Sequence, residues 1–126
     1  MNTKLLNQKF RERIINDKKV LAVLIFGSYA RKEDYKDVDV CIVLDKKYLN
    51  KEMTSKRIDY HSDVSSKFDI QIFQQLPVYI RIKILKEGRI IFCKNEDRLY
   101  DIAFETIKEY NNFKEIYIGY IKNALK

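Results

Sequence analysis

The sequence predicts an α/β (α+β) domain built on a mixed β-sheet of about four strands with helices packed on it. Three observations predict that class. Four short apolar runs of strand length, at 20–26, 38–44, 68–73 and 89–93, stand between longer segments of helical character. The first two runs, VLAVLIF and VDVCIVL, are consecutive, whereas helices separate the others, and that order argues for a mixed sheet. Gly and Pro are scarce, and Gly27, Pro77 and Gly88 fall where one element gives way to the next.

Taken in order, residues 3–16 read as a helix, with Thr3 placed to cap it and Leu6, Phe10 and Ile14 recurring at helical spacing. The run at 20–26 is continuously apolar and ends in Gly-Ser, as suits a buried strand. A second strand covers 38–44. Residues 50–66 are polar with Met53, Ile58 and Val64, a helix that Asn50 is placed to cap. FDIQIF at 68–73 alternates, putting Phe68, Ile70 and Ile72 on one face. Pro77 opens a helix and Gly88 closes it, RIIFC at 89–93 forms a fourth strand, and Asn95 caps a long final helix from Glu96.

The 126 residues suggest one domain, 1–126, large enough for a core of its own. A hydrophobic content of 46% argues against disorder. No apolar run reaches membrane-spanning length and the N-terminus lacks the apolar stretch of a secretory signal, so a cytoplasmic protein with no membrane association is expected. Cys41 and Cys93 form no CxxC pair and His61 has no neighbours at metal-ligand spacing, which argues against zinc; both cysteines are expected to pack as small hydrophobes. The net charge is +7, yet the basic residues are spread along the chain without a dense tract. That distribution suits a solvated surface better than a nucleic-acid-binding face, and direct nucleic-acid binding ranks last among the functional readings.

The informative segment is GSYARKEDYKDVDV, residues 27–40, which joins two strands. Glycine at a strand end lets the backbone take positive φ and lets a phosphate approach, and the following N–H groups and the Ser28 hydroxyl can donate to it. Asp37 and Asp39 are two apart, so on a strand they would point to the same side. Paired carboxylates are costly without a cation, and magnesium suits carboxylates plus phosphate oxygens. The competing reading is a strand end with two solvated acids. Asp69 is a third acid; if its strand lies beside that of Asp37 and Asp39, the three carboxylates suit a two-metal centre for nucleotidyl transfer. Otherwise Asp69 belongs to an ordinary polar strand face.

The segment LIFGSYARKEDYKDVDVCIVLD resembles the DNA polymerase β-like nucleotidyltransferase superfamily, whose signature is an apolar strand, Gly-Ser, a short loop and Asp-x-Asp on the next strand. It is most similar to the minimal nucleotidyltransferases, and the segment from FDIQIFQQLP to the start of the last helix also looks like that group. The resemblance implies the polymerase β-like fold and a Mg2+-dependent enzyme with two ions. It implies transfer of AMP from ATP to a tyrosine of a HEPN-domain toxin, the chain serving as the antitoxin of the pair. Gly27 and Ser28 would hold the triphosphate, and Asp37, Asp39 and Asp69 the metal. Arg31 would contact phosphate or brace the loop. The chain departs from the pattern in a short loop, eight residues between Ser28 and Asp37, and in Lys32 and Lys36 where the family commonly has Gly and Ser. Two other readings are a non-catalytic module that neutralises a toxin by forming a complex, and nucleotidyl transfer to a different acceptor.

Residues 96–125 would form a helix about 45 Å long, against a radius of gyration near 14 Å for a domain of this size. Such a helix must overhang the domain or break near Asn111-Asn112. Leu99, Ala103, Tyr110, Phe113, Tyr117, Tyr120 and Ala124 recur at nearly 3-4 spacing, with Thr106 filling the gap. The part from Leu99 to Ile107 is expected to pack on the sheet. The Tyr-rich part from Tyr110 to Tyr120 suits a protein interface, with a helical partner or a second copy of the chain.

Overall fold

In the computed structural model, which describes residues 6–30 and 37–125, ten elements follow in order. They are α1 (Gln8–Asn16), β1 (Val20–Phe26), a single helical turn α2 (Gly27–Ala30), β2 (Val38–Leu44), α3 (Asn50–Ser62), β3 (Phe68–Ile72), a 3-10 turn (Phe73–Gln75), α4 (Val78–Glu87), β4 (Arg89–Cys93) and α5 (Glu96–Ala124). The sheet order is β3-β2-β1-β4. β1 pairs antiparallel with both β2 and β4, and β2 pairs parallel with β3, so the sheet is mixed as expected.

Alternation along the strands gives each face of the sheet its own core. On one face Val40, Ile42, Ile70 and Ile72 meet Phe10 and Ile14 of α1 and Met53 and Tyr60 of α3. On the other, Leu24, Cys41 and Val43 meet Phe73, Ile84 of α4, and Leu99 and Ile102 of α5. Cys41 packs there as a small hydrophobe, and burial pushes its thiol pKa well up; neither cysteine is in a disulfide.

Polar ties fix α1 to α3. Tyr60 meets Phe10 edge-on at 5.4 Å and donates to Asp17 at 2.7 Å. Lys56 also pairs with Asp17, and Arg13 with Asp63. On the opposite face Arg81 of α4 makes a bidentate pair with Glu109 of α5, both contacts 2.9 Å. Beyond the end of β3, the Gln74 carboxamide accepts from Leu44 N at 3.0 Å and donates to Leu44 O at 2.8 Å, prolonging the ladder along β2 by one rung.

Three expectations change in detail, and of the two alternatives for α5 the unbroken helix is found. Asn7 caps α1, accepting from Phe10 N at 2.8 Å, and the helix begins at Gln8; Thr3 lies outside the described residues. Asn50 lies inside α3 and does not cap it, because its side-chain oxygen accepts from Gln75 at 2.9 Å. α3 ends at Ser62, where a turn redirects the chain into β3. α5 runs through Asn111-Asn112 without a break. Its buried stripe is Leu99, Ile102 and Thr106, and Ile107 is exposed.

Candidate active site

β1 delivers the chain to Gly27 at the end of the sheet. Gly27 has φ +74°, a conformation that an L side chain adopts only with strain. A Cβ here would also overlap the carboxylate of Asp39, the register partner of Phe26 on β2. Glycine is therefore required twice, by the turn and by the acid packed against it. The chain then makes the helical turn of α2. The Ser28 side chain and Arg31 lie outside the described residues.

Asp39 shares its sheet face with Cys41 and Val43, so it stands where that face passes from apolar core to the rim. The parallel ladder sets Asp69 of β3 directly beside it. Gln71 donates to both Asp69 oxygens, at 3.3 and 3.4 Å, and orients that carboxylate. The condition placed on Asp69 by the sequence, that its strand adjoin that of Asp39, is met. Asp37 is exposed and lies one residue before β2 begins. Among the described residues no group of three His, Cys, Asp or Glu side chains is already arranged around a common point.

A cleft of about 340 Å³ opens beside Asp39. Phe26, Gly27 and Asp39 form one wall, and Ile80, Lys83, Ile84 and Glu87 of α4 the other. The α4 residues follow i, i+3, i+4, i+7 spacing and so share one helix face. Sequence reasoning missed this wall. α4 is apolar on several sides, so periodicity alone does not say which face meets the cleft. Asp37 and Asp69 are not among the residues lining it.

A second cleft, about 300 Å³, lies at the opposite end of β2 and is rich in cations, including Lys46, Lys47, Arg81 and Arg98. Its guanidinium groups serve the fold. Arg81 binds Leu76 O as well as Glu109, and Arg98 donates to Asp45 O at 2.9 and 3.1 Å. The Arg81 bonds hold the Glu109 carboxyl below the usual carboxylate range.

Comparisons with known proteins agree with this fold. The family described as polymerase beta, nucleotidyltransferase matches residues 8–97. A protein of Methanocaldococcus jannaschii named "Putative protein adenylyltransferase" is 37% identical over 76 residues, which are 59% of this chain and 57% of that relative. The aligned part thus spans a little over half of that relative's length. A toxin–antitoxin crystal structure with AMP-PNP superposes with a TM-score of 0.68 at 17% identity, over 96% of this chain and 100% of that one. A complex of tri-AMPylated Shewanella oneidensis HEPN toxin with MNT antitoxin superposes with a TM-score of 0.62 at 18% identity, over 94% and 98%. At such identities the likeness shows a shared fold. Among the described residues no helix is long and apolar enough to cross a membrane.

Proposed function

The chain belongs to the polymerase beta nucleotidyltransferase family, and from that premise we propose that it transfers AMP from ATP to a tyrosine hydroxyl of a HEPN-domain toxin, as the antitoxin of the pair. The observation that carries the reading is the Asp39–Asp69 register with Gly27 packed against Asp39. The names of the adenylyltransferase relative and of the toxin–antitoxin complexes support the choice of donor and acceptor.

The residues fit magnesium. Asp39 and Asp69 offer hard oxygen donors side by side, the donor type magnesium takes. The missing Cβ at Gly27 lets the Asp39 carboxylate stand where any other residue's side chain would clash with it. Asp37, at the entrance to β2, is the third donor in this reading. When bound at these carboxylates, two magnesium ions would neutralise the triphosphate and lower the pKa of the acceptor hydroxyl.

The chain itself does the rest. Gly27 admits the phosphates, and the first amides of the α2 turn, together with Ser28, donate to their oxygens. Arg31 contacts phosphate from the loop or braces it. Phe26, Ile80 and Ile84 exclude water from the cleft and give the nucleotide an apolar wall, while Lys83 offsets phosphate charge. Asp69 helps take the proton from the acceptor. The tyrosine oxygen attacks the α-phosphorus in line, the bond to the β-phosphate breaks, and pyrophosphate leaves.

The test is incubation with α-labelled ATP, magnesium and the product of the neighbouring gene. Label should appear on a tyrosine of that protein, and neither EDTA-treated reactions nor Asp39→Asn should give it. Labelling at the wild-type rate by Asp39→Asn would sink the proposal.

A further inference from the structure

Gln71 stands on the sheet face that carries the acids. Its register partner on β2 is Cys41, as that of Asp69 is Asp39. Cys41 and Phe73 are both buried in the core of that face, and Gln71 is half-buried beside them. With apolar neighbours on its inner side, the carboxamide turns to Asp69. One nitrogen donates to both carboxylate oxygens, at 3.3 and 3.4 Å. The amide cannot be reversed, because Oε1 would then face two anionic oxygens.

Two nearly equal bonds fix where that nitrogen lies. It is close to the bisector of the carboxylate, in front of its open end. A cation chelated by both oxygens would need the same place. At a coordination distance of about 2.4 Å, such an ion would come within roughly 1 Å of the nitrogen, so the two exclude each other. The outer lone pairs of each oxygen, directed away from the other oxygen, lie beyond the reach of Gln71. Held in this way, Asp69 can give an ion one oxygen but not both.

Ions differ in what this costs them. Magnesium demands a near-ideal octahedron at about 2.0–2.1 Å, which the narrow bite of a chelating carboxylate does not fit. Calcium is larger, tolerates irregular geometry and takes carboxylates through one oxygen or both. Resting on the magnesium reading of the Asp39–Asp69 site, we infer that Gln71 is a positioning residue that selects the ion. By filling the chelating place of Asp69 it disfavours calcium, and it leaves open the single-oxygen contact that magnesium uses. Gln71 thereby gains a role in metal choice without being a metal ligand, and that role requires no step of the transfer.

The test is isothermal titration of the full chain with magnesium chloride and, separately, with calcium chloride, without nucleotide or any other protein. Gln71→Ala and Gln71→Leu both withdraw the amide, and Leu also keeps the bulk and suits a strand. Each variant should bind calcium at least about fivefold more tightly, since no hydrogen bond to the carboxylate has to be displaced. Magnesium affinity should stay within about twofold of the wild type. The decisive quantity is the ratio of the two affinities. A metal ligand or a residue that merely supports the fold would weaken both ions together when replaced. A ratio that stays at the wild-type value in both variants overturns the inference while the magnesium reading of the site stands. A wild type that binds neither ion sinks that reading, and the inference with it.

Discussion

Asp39 and Asp69 occupy paired positions on the parallel strands β2 and β3, with Gln71 donating to both oxygens of Asp69. Like charges placed opposite one another on a sheet destabilise it. A cation bound by the two carboxylates would offset their repulsion, so thermal stability reports metal binding.

Magnesium should raise the thermal midpoint of the wild type by mass action and leave Asp39→Asn and Asp69→Asn unmoved. Both variants should lose at least about 100-fold in AMP transfer, some 2.7 kcal/mol of barrier. A magnesium shift that survives both substitutions would remove these carboxylates from the metal site.

Gly27→Ala should cost stability for two separable reasons. The positive φ costs about 1–3 kcal/mol, and the new methyl overlaps the Asp39 carboxylate. Urea denaturation of a double-mutant cycle with Asp39→Ala resolves them. Removing the carboxylate should recover the overlap and leave the backbone term, so the two changes should be non-additive.

Asp17 predicts how the α1–α3 tie responds to pH. Burial pushes its carboxyl up, but hydrogen bonds from Lys56, Tyr60 and the Lys19 amide outweigh this and hold it below the usual carboxylate range. A carboxyl depressed in the folded state stabilises the fold above its unfolded value, near 3.9. That contribution is lost as pH falls through the lower, folded value. Asp17→Asn should therefore destabilise at neutral pH by about 1–3 kcal/mol, and denaturation at pH 3 should show a smaller deficit. An equal deficit at both pH values would show that the interaction is not ionic.

Lys83→Met keeps the length of the side chain and removes its charge from the cleft wall. It should weaken ATP binding about three- to tenfold, as expected for losing one charge-assisted contact, without changing the thermal midpoint. Isothermal titration with a non-hydrolysable ATP analogue reads it. Unchanged affinity would place the triphosphate away from α4.

All four strands were legible, β1, β2 and β4 as compact apolar runs of the right length and β3 by its alternation, and the acid face of β2 was legible from Cys41 onward. Asp69 was found as a residue but not as a neighbour, since no local pattern states that β3 lies beside β2; that depends on the crossover through α3. The α4 wall of the cleft was invisible for a related reason, because a helix apolar on several sides conceals the face it turns to a ligand. The caps show a different failure. Thr3 and Asn50 are both good capping residues, yet Asn7 takes the cap of α1 and Gln75 claims the Asn50 side chain. Side-chain hydrogen bonds are contested by partners distant in sequence, and local propensity does not count them.

The unbroken passage of α5 through Asn111-Asn112 makes the domain a pointer with a fixed phase. Anything gripping its far end is held at a set distance and azimuth from Asp39. One residue inserted at that junction would advance the tip by only 1.5 Å but swing its contact face through about 100°. Seven inserted residues would nearly restore the heading while displacing the grip by about two helical turns. The reach of α5 and its aim can therefore be changed separately, and evolution could retarget such a chain by insertion without touching its sheet.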